Sequence, residues 1–291
     1  MVPGGSSQWK VVDRLAEDYE GRDEYIGDEP LIEVMNGVSH LIVLSAHLDD
    51  AVLSCGALMN HARKEMSVTV VTFFTEGSAP PYTLQARRYL HQTRDRTANS
   101  LFVARRAEDQ AALEGAGISY VHVGLTEILF RRRARPLLNR LPWASRLIPE
   151  LSHLYPTYRL HVIRGGISPD DFSTIRRMID TIDQLSPTSS TLFLAPLGVG
   201  GHKDHVLVRT AAELSRKRVV YYSDFPYNMR YSVDLSFVQR NPSVQAKWSH
   251  DLASKLPLIR AYRTQVDTLF PGGKIPVVPE VYLLPGQQQI S

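Results

Sequence analysis

The 291-residue chain sets 33 lysines and arginines against 30 acidic residues, a net charge of +3, and 43% of its residues are hydrophobic. That is an ordinary globular composition, and the basic excess is too small to argue for a nucleic-acid partner. The single cysteine, Cys55, excludes an internal disulfide framework and fits a reducing compartment. No run of about eighteen apolar residues offers a membrane span, and residues 1–10 lack the apolar core of a signal peptide, so a cytoplasmic location is expected.

Residues 1–37 are polar with little periodicity and are expected to form an N-terminal extension carrying at most one short helix; residues 38–291 are expected to form a single domain. The domain opens on Leu41-Ile-Val-Leu-Ser45, a short apolar run of the kind that makes a strand buried on both faces. After His47-Leu-Asp-Asp50, the spacing of Val52, Leu53, Gly56, Met59 and Asn60 predicts a helix to about Arg63, which Asp49 or Asp50 can cap. A second strand is expected over 68–74, closed by the turn signal Thr75-Glu-Gly77. Residues 84–116 read as helical, stopped by Gly115 and Gly117, and 120–123 as a third strand. This βαβαβ order argues for an α/β protein with a mostly parallel sheet flanked by helices.

Residues 126–170 break the rhythm and read as an insertion or lid over one end of the sheet. Arg131, Arg132, Arg133, Arg135, Arg140 and Arg146 stand there among prolines and aromatic residues. They either grip an anionic substrate or form the solvated face of a lid. Trp143, Tyr155 and Tyr158 either stack on a sugar ring or pack beneath that lid. Regularity returns with a helix over 172–185, a strand over 191–197, a glycine-rich turn, a helix from about 204 to 217 and a strand over 219–222. Residues 246–269 read as helical despite Pro257 and end at Pro271-Gly-Gly273.

Two segments carry chemistry. His47-Leu-Asp49-Asp50 lies just past the carboxyl end of the first strand, and His202-Lys-Asp204-His205 lies past that of another, after Gly198-Val-Gly-Gly201. Ligands of open α/β sheets bind outside the carboxyl ends of strands, so clusters far apart in sequence can converge there. Two imidazoles and a carboxylate, with coordination positions left open, suit zinc or a similar first-row ion. The remaining acidic and imidazole groups are candidates for acid–base work on water. Gly200 and Gly201 permit a tight turn that brings His202 close to a substrate. Taken alone, the first cluster is equally well read as a capped helix beside a solvated histidine; two such clusters at strand ends favour a site.

The stretch Ser45-Ala-His-Leu-Asp-Asp-Ala-Val-Leu-Ser-Cys-Gly56 resembles the first signature of the PIG-L (LmbE-like) N-deacetylase family, and Gly201-His-Lys-Asp-His205 resembles its second. The likeness continues through Arg105-Arg-Ala-Glu-Asp109, Tyr221-Tyr-Ser-Asp-Phe-Pro-Tyr227 and residues 255–265. It implies a Rossmann-like, metal-dependent hydrolase that removes an N-acyl group, usually acetyl, from a small-molecule amino sugar or glycoconjugate. By the same resemblance His47, Asp50 and His205 would hold zinc, with iron(II) or cobalt(II) also suited to those ligands. Asp49 would be the general base, His202 would stabilise the oxyanion or assist the departing amine, and Asp204 would orient a histidine.

This sequence departs from the family pattern at Leu48, where proline is common, at Ala51, where many members have glutamate, and at Gly200, where some carry a tyrosine. Tyr222 or Tyr227 is the expected substitute for that tyrosine. Arg105 and Arg106 either contact substrate or lie on a solvated helix face with Glu108 and Asp109. An amidase of a longer acyl chain or of a thiol-conjugate amide is the nearest alternative, and a non-catalytic Rossmann-like binding module is the alternative of a different class. Against the latter, the first strand is followed by Ala46-His-Leu-Asp-Asp50 and not by a Gly-x-Gly-x-x-Gly turn. Nothing in the sequence selects an oligomeric state.

Overall fold

The computed structural model describes residues 27–133, 148–157, 166–185 and 190–286. Seven strands form one sheet: β1 (His40–Ser45), β2 (Ser67–Glu76), β3 (Ser119–Thr126), β4 (Thr191–Pro196), β5 (Val219–Tyr222), β6 (Ser243–Trp248) and β7 (Glu280–Pro285), in the order β3-β2-β1-β4-β5-β7-β6. The first five are parallel, and β7 runs antiparallel to both β5 and β6.

The central strands are apolar throughout because both of their faces are covered. Leu41 and Val43 of β1 pack into one core cluster, with Leu58 and Met59 of helix α2 (Asp50–Ala62). The alternate residues, Ile42 and Leu44, pack into a second cluster on the opposite face, the two-residue period of a strand. That second face is covered by α5 (Phe172–Gln184) and α6 (Lys203–Leu214). On α5 the buried positions Ile175, Met178 and Ile182 form one stripe.

Among the described residues the remaining α-helices are α1 (Glu29–Met35), α3 (Leu84–Gln92), α4 (Ala98–Gly115), α7 (Leu235–Arg240), α8 (Leu256–Ala261) and α9 (Arg263–Leu269). Helix α1 is the short helix expected of the N-terminal extension, and it buries Leu31 and Met35 in the first cluster; residues 1–26 of that extension lie outside the described residues. No helix among the described residues is long and apolar enough to cross a membrane.

Two stretches differ from their sequence reading. Residues 84–116 form two helices, each started by a threonine: Thr83 accepts from the Ala86 N–H and Thr97 from the Ser100 N–H. Arg94, at φ 61°, separates them. Residues 246–269 are not one helix. Ala246 and Trp248 belong to β6, which pairs with β7, and the helical part is split between α8 and α9 at Tyr262. Pro257 stands second in α8 and does not interrupt it, because the first turn has no use for the missing N–H. Strand β7 is half-buried, and its partners lie across a long connection.

Helix α2 is buried on almost every side. Gly56 permits this: a Cβ built there would stand 2.7 Å from the Cβ of Lys255. Lys255 is itself buried, with Nζ 3.2 Å from Glu280 Oε1 and donating to the Leu53 carbonyl at 3.1 Å. Glu280 in turn accepts from the Ala57 and Leu58 N–H groups. Gly56→Ala is therefore expected to destabilise the fold by about 1–3 kcal/mol, an overpacking cost. Urea denaturation reads this directly, and an unchanged midpoint would mean that Lys255 gives way freely.

The chain runs from β1 outward to β2 and β3, then returns to β4 on the other side of β1. The loops after β1 and β4 thus diverge, and the crevice at their carboxyl ends is the switch point where open α/β sheets bind ligands.

Candidate metal centre and adjoining cleft

Two loops build the centre. After β1, Ser45 Oγ donates to the His47 carbonyl at 2.7 Å, and Asp50 Oδ2 accepts the His47 N–H at 2.7 Å, which fixes the turn. Asp49 stands at the N-cap position of α2 but makes no capping bond. After β4, Gly200 has φ 81°, and a Cβ there would lie 3.2 Å from the ring of Tyr231. A tyrosine at position 200 would have to displace that ring. His202 follows as the N-cap residue of α6, and His205 sits in the first turn of that helix.

The turns bring three donor atoms together. His47 Nδ1 lies 3.3 Å from Asp50 Oδ2, His205 Nε2 lies 3.4 Å from the same oxygen, and the two nitrogens are 3.2 Å apart. A tetrahedral ion held at about 2.0–2.1 Å separates its ligands by about 3.3–3.4 Å. The donor set, two imidazoles and a carboxylate, fits zinc in both chemistry and spacing. His202 is a rival third ligand, since His47, His202 and His205 each offer an atom within 4.8 Å of the others. The Asp50 triangle is the tighter and carries the negative charge that a divalent ion needs.

Each of the two histidines is held from behind by a carboxylate. His47 Nε2 is 3.2 Å from Asp204 Oδ2, and His205 Nδ1 is 2.6 Å from Asp224 Oδ1. Such bonds fix the tautomer and aim the other ring nitrogen forward. Asp224 Oδ2 also accepts the Val199 N–H at 2.8 Å. An asparagine there can offer its oxygen to only one of these two donors. Asp224→Asn is expected to weaken zinc binding by about 10–100-fold, read by competition with a chromogenic chelator; unchanged affinity would show that Asp224 does not orient His205.

The electrostatics favour a cation. Burial alone would lower the His47 pKa, but the bonds from Asp204 and Asp50 outweigh it and raise it well above 6.5. For His205 burial is likewise overcome by Asp50 and Asp224. A field that favours imidazolium favours a metal ion in its place. Burial raises Asp50, but His205 and His47 overcome it and hold the carboxyl down at about 2. Asp49 is raised to about 8 by burial and then by Asp50, with Arg105 drawing it back. Glu127 is raised to about 7 by burial and by Asp204. His202 is pushed well below 6.5 by burial, then by His47 and His205. An imidazole in that environment favours the neutral form, which still offers one N–H donor.

Beside the triangle opens a cleft of about 320 Å³, whose walls include His47, Asp49, Asp50, Arg105, Glu127, His202 and Tyr227, with Gln85, Tyr89 and Gln92 from α3. A larger hollow of about 600 Å³ lies near Arg216 and Phe237, away from these groups. The smaller one is lined by residues of both histidine motifs. Arg105 reaches the cleft, buried over the Tyr89 ring. Arg106 is absent from its walls and donates to the Thr75 carbonyl at 2.7 Å. Tyr222 is absent too: it is buried under β1 and donates to the Leu44 carbonyl at 3.0 Å. Of the two expected tyrosines, only Tyr227 lines the cleft.

The arginine stretch also needs correction, because Arg131 is buried and not part of a solvated lid face. Tyr155 packs beneath the stretch with Phe130 and Leu154; Arg135, Arg140, Trp143, Arg146 and Tyr158 lie outside the described residues. Sequence reasoning missed Asp224 and Glu127. Both follow closely on the ends of parallel strands, β5 and β3, the signal by which His47 was found. Gln265, on α9, was missed as well; its Nε2 donates to the Leu48 carbonyl inside the first motif.

The model of the family described as PIG-L, GlcNAc-PI de-N-acetylase, matches residues 42–214. Among solved structures the chain is similar to the zinc-inhibited form of teicoplanin deacetylase Orf2, with TM-score 0.62, 22% identity, and coverage of 85% of this chain and 99% of that one. A second likeness is to a deacetylase–teicoplanin complex from the biosynthesis pathway of teicoplanin, with TM-score 0.63, 22% identity and coverage of 86% and 99%. A third is to the A40926 pseudoaglycone deacetylase Dbv21, with TM-score 0.61, 21% identity and coverage of 84% and 96%. These likenesses show a shared fold. Among curated proteins no sequence matches.

Proposed function

This chain belongs to the PIG-L, or GlcNAc-PI de-N-acetylase, family, and from that premise we propose that it is a zinc-dependent deacetylase removing an N-acetyl group from an amino sugar or glycoconjugate. The observation that carries the reading is the triangle of His47 Nδ1, Asp50 Oδ2 and His205 Nε2, set beside the uncapped Asp49 carboxylate in one cleft.

An amide carbonyl is a poor electrophile and water a weak nucleophile, and a bound divalent ion supplies the Lewis acidity that corrects both. The chain's own groups do the rest. Asp49 takes a proton from the attacking water and passes it to the amide nitrogen, so that the amine departs neutral. His202, on the opposite loop, donates an N–H to the oxygen that gains charge, a contribution of roughly 3–4 kcal/mol for one well-placed donor. Arg105, Gln85 and Gln92 offer hydrogen-bonding groups to the hydroxyls of a sugar in the cleft.

The test is metal analysis of the purified protein together with an amine-release screen over N-acetylated sugars and their glycosides. About one zinc per chain and release of free amine support the reading. Protein that stays metal-free after anaerobic reconstitution with zinc or iron(II) overturns it in favour of a binding module. Release only from longer acyl amides would replace the acetyl specificity.

A further inference from the structure

Arg131 begins the arginine-rich stretch, yet all three of its guanidinium nitrogens are engaged inside the protein. Nε donates to the Thr126 carbonyl at 3.1 Å, Nη1 to Asp171 Oδ1 at 2.9 Å, and Nη2 makes a short bond to Asp204 Oδ1. The guanidinium carbon lies 4.6 Å from the centre of the Phe74 ring, and that ring is itself 6.2 Å from the His47 ring. The other oxygen of Asp204 accepts the Ile128 N–H at 3.0 Å and faces His47 Nε2. Asp171 is held in addition by the Tyr155 hydroxyl. One line of contacts thus runs from Asp171 through Arg131 and Asp204 to His47.

We propose that Arg131 is a positioning residue of the metal centre: it fixes the Asp204 carboxylate, which aims the His47 imidazole so that Nδ1 faces Asp50 and His205. The inference rests on the reading of His47 as a metal ligand given above. Asp204 is fully buried, and Glu127 lies close enough to form an acidic cluster with it and His47. A buried carboxylate needs a compensating charge, and Arg131 supplies it at the oxygen that the Ile128 N–H and His47 leave open. A planar guanidinium does this in three directions at once, whereas an ammonium group supplies the charge without the fork. Asp171 and Tyr155 anchor the far end of the fork. They tie the chain segments beyond β3 to the first metal ligand, although neither segment touches the ion's position.

The test uses the full-length protein with Arg131→Met, Arg131→Lys and Asp171→Asn. Zinc affinity is read by chelator competition, and ligand geometry by the visible spectrum of the cobalt(II)-loaded protein. Arg131→Met is expected to lose on the order of tenfold in zinc affinity and to shift the cobalt bands. Arg131→Lys is expected to recover part of that loss, and Asp171→Asn to lose less in the same direction. Should the methionine variant fail to fold, the other two still decide. A folded variant set that binds zinc within about twofold of wild type, with the same cobalt spectrum, overturns the inference while leaving the proposed function standing. A wild type that binds no metal overturns both.

Discussion

In the Asp50→Ala protein, zinc affinity is expected to fall by more than about 100-fold, beyond what the loss of an orienting partner costs, and amine release to fall to background. Asp50 supplies the one anionic corner of the triangle, and both imidazole nitrogens approach the same oxygen, at 3.3 and 3.4 Å. Two neutral imidazoles alone leave a divalent ion under-coordinated and without charge compensation. The same oxygen accepts the His47 N–H, so alanine also leaves a donor unpaired, at about 1–3 kcal/mol of stability. Thermal unfolding of the metal-free variant separates that loss from the loss of a ligand. Full zinc retention would be the informative failure: the ion would then sit among His47, His202 and His205, and His202 would move from the substrate side of the site to the ligand set.

The parts of the molecule legible in the sequence are those whose signal is local. Strands β1 and β4 announce themselves because burial on both faces demands uninterrupted apolar runs, Leu41 to Leu44 and Leu192 to Ala195. The two histidine motifs announce themselves because their residues are neighbours in the chain and both follow such a strand. What escaped depends on partners distant in sequence. Ala246 and Trp248 satisfy a strand as readily as a helix until β7 is known to pair with them. Arg131 looks like its five basic companions, and only the approach of Asp171 and Asp204 distinguishes it. Tyr222 and Arg106 are candidate site residues because they lie in stretches that resemble the family, but β5 and α4 turn their side chains to backbone carbonyls elsewhere. Asp224 was inside a stretch already singled out, and its role becomes visible only when His205 Nδ1 is found 2.6 Å away.

Asp49→Asn separates binding from chemistry. Asparagine keeps the shape of the side chain, and Asp49 lies outside the donor triangle, so zinc content is expected to stay at the wild-type level. Removing its charge also removes the repulsion that Asp50 exerts on it. Turnover is expected to fall by about 10²–10⁴-fold, the usual loss when a positioned general base is deleted. The pH profile carries the sharper signature. As the proposed general base Asp49 would act as its anion, so kcat/KM is expected to fall as pH drops through its pKa. Burial and Asp50 raise that pKa to about 8 in the metal-free protein, and a bound cation pulls it lower, placing the acidic limb of the wild-type profile below about 8. The residual activity of the asparagine variant should lack this limb, since no carboxylate remains there to protonate. A variant that keeps turnover within tenfold of wild type and retains the limb would assign the proton to another group, with Glu127, raised to about 7 on the wall of the same cleft, the first to replace next.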